Sequence, residues 1–394
     1  MIRSQTRATS KEKKRVMLIH KGANIGFQPR IRKGAFFEAA WRHGCRNFSV
    51  YNRTYISGSF SSPEEEYWSV VNDVALWPAM GERQVEISGP DAADFVQLLT
   101  PRDMSKCDVG QCKYALITDQ NGGIVSDPII LRPAPDTYWL STSDCDLELW
   151  AKGIAVHADM NVHIRDAEIS VLQVQGPKSA LLLAEMFGEQ IHTLKYYRLL
   201  KAQFEGAELI ISRTGWSGEL GYEIYLADAT KGDALFDTAL EVGKKYNALP
   251  GCVSQIRRIE SGILSWGVDM TPAENPFELG LGRLVEFDSG ARFIGRAALE
   301  ALSRQPPSRK LVGLLVDGER LAPNEDVWAI SANDTSVGKL TSLAYSPRLE
   351  RNIALGLIDA DHSEVGFKLD VETWDGNRTC VVADLPFLTK RQTM

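Results

Sequence analysis

Residues 213–226 read Arg-Thr-Gly-Trp-Ser-Gly-Glu-Leu-Gly-Tyr-Glu-Ile-Tyr-Leu, and chemistry can be carried at the end of that run. Gly215, Gly218 and Gly221 permit positive φ or close backbone approach. The strand predicted after them puts Glu223 and Tyr225 on one face and Tyr222, Ile224 and Leu226 on the other. A carboxylate and a phenol therefore meet beside a glycine-rich loop. A second polar pair, Ser126-Asp127, follows the turn Asp119-Gln120-Asn121-Gly122-Gly123, in which Asn-Gly suits a tight hairpin. Period-2 alternation places Ser126 opposite Val125 and Asp127, so one of the two polar side chains faces a cavity and the other solvent or a cap. A third segment, 254–266, reads as a helix carrying Arg257, Arg258 and Glu260, cations able to meet an anionic ligand or to pair internally.

The elements that must position these residues read as an α+β chain with mostly antiparallel pairing. Strands are predicted at 83–88, 137–142, 169–174, 209–212 and 222–226. Helices follow Gly89-Pro90-Asp91, a cap at Ser143 or Asp144, Gln175-Gly176-Pro177, and the run holding Leu235, Phe236, Ala239, Leu240 and Val242. Ser303 to Ser308 is a linker. Beyond it, strands at 311–316, 337–344, 353–358, 367–371 and 379–382 form a small all-β barrel. The expected organisation is a basic arm over 1–33, a region of two interleaved subdomains over 34–302, whose binding role comes from the resemblance described below, and a barrel domain over 309–394.

With 394 residues, 44% hydrophobic content and a net charge of -7, the chain is globular, of two or three domains, and offers no broad footprint for nucleic acid or anionic membrane. The first 33 residues depart from this balance, with ten basic residues from Arg3 to Lys33 facing only Glu12. No apolar core follows them, so a secretory signal is not read, and no membrane span is present in the sequence. Six cysteines and six histidines are scattered without C-x-x-C pairs, indicating neither a metal site nor a disulfide framework and fitting a cytoplasmic protein. Small molecules are the expected partners, and self-association into a homo-oligomer remains open.

Five segments in register, Gly122 to Asp127, Val174 to Pro177, Thr214 to Ile224, Arg258 to Gly262 and Phe293 to Leu299, resemble the glycine-cleavage aminomethyltransferase (T-protein) superfamily over roughly residues 30 to 390. The resemblance implies a ring-like, three-domain fold centred on tetrahydrofolate. It puts Glu223 on the pterin-binding carboxylate, Trp216 and Tyr114 on aromatic positions near the folate, and Arg258 among cofactor-binding candidates. Aminomethyltransferases of this family carry Asp-Asp after the glycine turn, where this chain has Ser126-Asp127. Further segments, among them Glu82 to Glu86, Leu98 to Ser105 and Thr341 to Arg348, are similar to the dimethylsulfoniopropionate demethylase branch.

That branch moves a whole methyl group to N5 of tetrahydrofolate, a displacement that needs alignment and a route for the N5 proton but no carboxylate to hold an iminium. Tyr225 and Ser126 are then the catalytic candidates. Tyr51, Tyr55, Trp216 and Trp266 are available to surround an onium donor, and Arg257 to meet a donor carboxylate. No histidine lies near the matched segments to serve as general acid for a methoxyaromatic ether, which favours onium donors. Two alternatives stay open: an aminomethyltransferase working with a lipoyl carrier protein, and a folate-binding protein without turnover.

Overall fold

Alternating apolar runs separated by Gly, Pro, Asn and Asp build two sheets that lie face to face. The computed structural model describes residues 26–388; most of the basic arm therefore lies outside the described residues. One sheet has six strands in the order Leu199–Phe204, Ala207–Ser212, Gly221–Leu226, Ser170–Gln175, Val74–Ala79 and Ala248–Pro250. Only its last pairing is parallel. The other sheet has five antiparallel strands in the order His163–Asp166, Arg83–Ser88, Thr137–Thr142, Ile129–Ala134 and Gln111–Tyr114.

Each sheet buries its outer face under helices. Phe37–Arg42, Ser179–Phe187 and Gly232–Gly243 cover the six-stranded sheet, where Tyr222, Ile224 and Leu226 point into the shared core. Ala92–Leu99 and Leu147–Ala158 cover the five-stranded sheet. The inner faces meet through Ala79, Val171, Ile210 and Tyr225 from one sheet and Cys112 and Leu131 from the other. Strand periodicity thus determines that Tyr225 enters an apolar layer between sheets.

The residues after the linker close into a six-stranded barrel. Five of its strands match the predicted ones; the sixth, Trp328–Ala332, lies in a segment read as a connection, because the Asn and Asp residues at 324–326 and 333–334 make it look like turn. Barrel strands Thr335–Ser346 and Arg351–Asp359 dock against the helix Gln255–Glu260 and the following loop through Ile259, Leu264, Met270, Leu281, Ala344 and Leu355.

Two local readings change. The helix predicted over 254–266 covers only Gln255–Glu260: Gly262 takes φ 65° and turns the chain away, leaving Trp266 in a loop. The helix after Thr142 starts at Leu147 with Asp146 at its cap, not Ser143 or Asp144. Asp144 accepts instead from the Asn52 backbone N–H at 2.7 Å, and Ser143 turns inward.

Candidate functional site

A cavity of about 590 Å³ opens where the strand ends of both sheets, the hairpin after Tyr114 and the 261–266 loop converge. Among the described residues its wall carries three carboxylates, Glu82, Asp127 and Glu223, and one basic side chain, Arg283. Tyr51, Trp77, Tyr114, Trp216 and Trp266 supply aromatic surface. No histidine among the described residues lines it.

Glu223 projects from the middle of the six-stranded sheet and is 5% exposed. Its Oε2 accepts from the hydroxyls of Thr214 and Tyr225, and from Ser212 at 3.5 Å. Its Oε1 accepts from no described residue. Burial pushes the carboxyl above the usual range, against those three hydroxyls, which favour the ionised form. Gln173 pairs with Glu223 in register on the next strand, and its amide donates to Glu82 Oε1 at 2.7 Å. Burial, and after it the charge of Glu223, pushes Glu82 well up. Gln173 Oε1 is buried without a hydrogen-bond partner among the described residues. Glu82, Gln173 and Glu223 therefore present acceptors that the chain itself leaves unused, and such groups call for a ligand rich in N–H donors.

The glycine-rich loop owes its composition to Gln175. A Cβ on Gly215 or Gly221 would lie 2.2 or 2.1 Å from the Gln175 amide. That amide donates to the Thr214 and Tyr222 carbonyls and accepts from Ser217. Thr214 and Trp216 are held in place by this plug.

Across the cavity, the hairpin turns at Gly122 and delivers Asp127. Its Oδ2 accepts from the Tyr114 hydroxyl at 3.1 Å and its Oδ1 from Ser143 at 2.9 Å. Burial nevertheless pushes the Asp127 carboxyl up to about 7. Ser126, on the opposite face, is 0% exposed and meets Ser143 Oγ at 3.0 Å. With the Ser143 proton on Asp127, Ser126 donates to Ser143. It stands one hydroxyl behind the cavity wall.

Of the residues singled out from sequence, Glu223, Trp216, Tyr114, Tyr51 and Trp266 line the cavity together, and Trp266 is fixed by its Nε1–H donating to the Ile124 carbonyl at 3.1 Å. Four do not. Tyr225 is 1% exposed between the sheets and reaches the cavity only through Glu223. Tyr55 packs against Phe27 and Phe37 in an aromatic cluster.

Arg257 and Arg258 sit on the helix that packs against the barrel, and their guanidinium groups face buried carboxylates, not the cavity. Arg257 meets Glu219 at 2.9 Å and also Glu260. Arg258 meets Asp269 at 2.6 Å, Ser342 at 2.7 Å and Gln255 at 2.6 Å. The Arg258 guanidinium also lies 5.4 Å from the Trp216 ring centre, buttressing a wall it does not form. The Thr341 to Arg348 segment belongs to the same interface: Thr341 and Ser342 donate to Asp269, and Arg348 reaches Glu219.

Three functional candidates were not singled out as site residues from the sequence. Glu82 sits in a turn, Gln173 interrupts an apolar strand, and Asp127 is the partner of the serine that drew notice.

Comparison with known proteins accords with this architecture. Residues 21–289 match the GCVT N-terminal domain and residues 309–388 the glycine cleavage T-protein C-terminal barrel domain. The dimethylsulfoniopropionate demethylase of Ruegeria pomeroyi is 36% identical over 362 residues, covering 92% of this chain and 99% of that protein. An aminomethyltransferase of Symbiobacterium thermophilum is 34% identical over 325 residues, covering 79% of this chain and 85% of its own. The aminomethyltransferase T crystal structure from Bartonella henselae superposes with a TM-score of 0.82 at 22% identity, covering 91% of this chain and 98% of that one. The chain belongs to the glycine cleavage T-protein family of tetrahydrofolate-dependent one-carbon transferases.

Proposed function

We propose that this protein is a demethylase that moves a methyl group from a small cationic donor to N5 of tetrahydrofolate, giving 5-methyltetrahydrofolate. A dimethylsulfoniopropionate-like sulfonium is favoured over a methoxyaromatic ether. One observation supports this above the others: among the described residues, the cavity sets three carboxylates and several aromatic faces around its volume with a single basic group, Arg283. Aromatic faces and carboxylates together attract an onium cation, the former by about 2 kcal/mol when desolvated. The demethylase relative agrees with it in reaction class.

The chain's residues fit a reduced folate. The aminopyrimidine edge of a pterin offers adjacent N–H donors, and Glu223 Oε1 and Gln173 Oε1 are acceptors without a partner among the described residues. Trp216 and Tyr114 give that edge flat neighbours. When bound, tetrahydrofolate supplies the nitrogen that accepts the methyl group.

Everything else falls to the protein. Positive charge on the donor disappears as the methyl leaves, so carboxylates that hold a cation bind the ground state more than the transition state. Acidic walls therefore set donor affinity, and alignment by Tyr51, Trp266 and Trp216 supplies rate. Asp127, pushed up to about 7, is matched to taking up a proton near neutral pH. Tyr114 and Ser143 aim its two oxygens. Tyr225 and Ser126 act as positioning residues, one through Glu223 and the other through Ser143. The six unpaired cysteines suit a reducing, cytoplasmic setting. No helix among the described residues is long and apolar enough to cross a membrane.

Incubation with tetrahydrofolate and a panel of sulfonium, betaine and methoxyaromatic donors, followed by assay for 5-methyltetrahydrofolate, tests the reading. Folate binding without product from any donor sinks it. One observation favours a second reading: Asp127 keeps a carboxylate in the cavity at the hairpin, although position 126 lacks one. Ammonia release from an aminomethylated lipoyl carrier protein would establish aminomethyl transfer instead.

A further inference from the structure

Three segments far apart in sequence build one wall of the cavity: Tyr51 at the tip of a hairpin, Gly81 and Glu82 after the strand Val74–Ala79, and Thr142 and Ser143 at the end of the strand Thr137–Thr142. One side chain behind the wall binds all three. Asn52 is 6% exposed, and its Nδ2 donates to the Gly81 carbonyl at 3.1 Å and to the Ser143 carbonyl at 2.9 Å, with Thr142 Oγ1 at 3.4 Å. Carbonyl oxygens only accept, so the amide nitrogen is the atom that must face them. The backbone N–H of Asn52 donates to Asp144 Oδ1 at 2.7 Å, a fourth tie to the same corner.

The backbone restricts which residue can stand there. Tyr51 pairs with Thr54, so Asn52 and Arg53 form a two-residue turn, with φ of 47° and 56°. Such turns need positive φ at both central positions, and Asn reaches it at lower cost than most side chains. Gly satisfies the backbone as well but has no amide. Packing closes the same corner, since a Cβ on Gly81 would lie 2.9 Å from both Tyr51 Cβ and Ile56 Cγ2. The segment bearing Glu82 therefore rests on the hairpin bearing Tyr51. Ser143, held through its carbonyl, turns its hydroxyl to Asp127 Oδ1 at 2.9 Å. Burial, and after it the charges of Asp127 and Glu82, keep the proton on the Tyr51 phenol.

We propose that Asn52 is a positioning residue that ties Tyr51 and Glu82 to the Ser143–Asp127 pair, so that the groups meeting the methyl donor and the group exchanging the proton share one fixed geometry. Its kinetic consequence rests on the demethylase reading above; the tie between Asn52 and Asp127 does not. An error of about 1 Å in such an arrangement can cost about 100-fold in rate. Besides Ser143, Asp127 interacts with Tyr114, Tyr51, Cys145 and Asp269. None of these side chains hydrogen-bonds to Asn52 among the described residues, so an effect of the amide on Asp127 runs through Ser143 or through the placement of Tyr51.

Three variants test this. Asn52→Gly keeps the turn and removes the amide, Asn52→Asp keeps the shape but sets an oxygen against two carbonyls, and Arg53→Gly loosens the same turn at an exposed residue without touching the amide. Infrared difference spectra against Asp127→Asn follow the Asp127 titration without any substrate. The midpoint should rise by about half a unit or more in both Asn52 variants, because the Ser143 hydroxyl favours the charged form, and stay fixed in Arg53→Gly. In turnover, kcat/KM for the donor should fall about tenfold in Asn52→Gly, while folate affinity stays within about twofold, since Glu223, Gln173 and Trp216 stand on other segments. An unchanged Asp127 midpoint in both Asn52 variants overturns the proposal, whatever the unfolding temperature does, and leaves Asn52 a turn residue. An equal shift in Arg53→Gly overturns it too, by assigning the effect to turn stiffness. Absence of product from the parent with every donor would remove the demethylase reading, and the infrared comparison would still decide the tie to Asp127.

Discussion

The Tyr225 hydroxyl donates to Glu223 Oε2 at 2.9 Å from two residues further along the same strand, and that oxygen faces away from the acceptor left for a ligand. The phenol therefore orients the carboxylate and is screened from the cavity by it. Tyr225→Phe removes one charge-assisted hydrogen bond from a buried carboxylate, worth about 1.5–3 kcal/mol at most. Two other hydroxyls remain, so the expected loss is smaller, about 3- to 10-fold in folate affinity, with kcat at saturating folate unchanged. Steady-state kinetics at varied folate concentration separate the two. A collapse of kcat at unchanged folate affinity would return Tyr225 to the chemistry.

Glu82 and Glu223 face one cavity and both hold their protons more tightly in the folded chain than when unfolded. The sign follows directly: the folded state binds protons that the unfolded state has released, so stability falls as pH rises from the ordinary carboxylate range through the raised values. Glu82→Gln removes one of the two charges. The unfolding temperature of the variant should exceed that of the parent at pH 8 by roughly 2–6 °C and match it near pH 4. Thermal unfolding across that range checks it; an equal shift at both pH values would mean that repulsion is not the cause.

Ser126 illustrates how much of the site was legible in the sequence. Glu223, Trp216 and Tyr114 could be placed because strand periodicity or a family motif marks each of them, whereas Tyr51 and Trp266, like Tyr55, carry only an aromatic type suited to an onium, and the fold brings the first two to the cavity. Periodicity also separates Ser126 from Asp127, but it does not say which face meets the cavity. That depends on docking of the 261–266 loop against the hairpin, a contact far apart in sequence. Arg257 and Arg258 are ambiguous for a similar reason, since a short helix with two arginines reads alike whether it faces a ligand or the buried acids Glu219, Glu260 and Asp269. Gln173 was hidden because an amide in an apolar strand has no signature until its neighbours in the sheet are known.

The buried position of Ser126 makes its exchange a stability experiment before it is a specificity experiment. Ser126→Asp sets a second carboxylate, fully enclosed, against the Ser143–Asp127 pair. The expected cost is about 2–4 kcal/mol at neutral pH, smaller in acid where one group is protonated. Denaturant titrations at pH 5 and pH 8 measure it. A fully stable variant with aminomethyl transfer activity would instead restore position 126 as the determinant of reaction type.

Arg258 joins the barrel to the rest of the chain. Its ion pair with Asp269 is enclosed, and Asp269 also takes the hydroxyls of Thr341 and Ser342. Removing one partner of such a pair leaves a buried charge without compensation, a loss of about 3–5 kcal/mol. Arg258→Ala should accordingly lower the unfolding midpoint and open the 303–308 linker region to protease. Per folded molecule, folate affinity should change little, beyond what Trp216 loses as its buttress. Affinity lost without any loss of stability would show that the guanidinium touches ligand.

Asp127 gives the strongest expectation for pH. Burial raises its carboxyl to about 7 while the Tyr114 and Ser143 hydroxyls pull the other way. If it receives a proton during turnover it must be ionised in the resting enzyme, so kcat/KM should rise with pH and level off above about 7. Asp127→Asn should lower the plateau about 100-fold or more and abolish that limb of the profile. The same variant should be more stable than the parent at pH 8, because a group raised on folding destabilises the fold wherever it is ionised, and equally stable at pH 4. Ser126→Ala provides the graded case: losing the hydroxyl behind Ser143 weakens the hydrogen bond that favours the charged form. The activity limb should move to slightly higher pH while its height is kept. A profile that stays fixed in Ser126→Ala and survives in Asp127→Asn would place the titrating group elsewhere, with Glu82 the next to test.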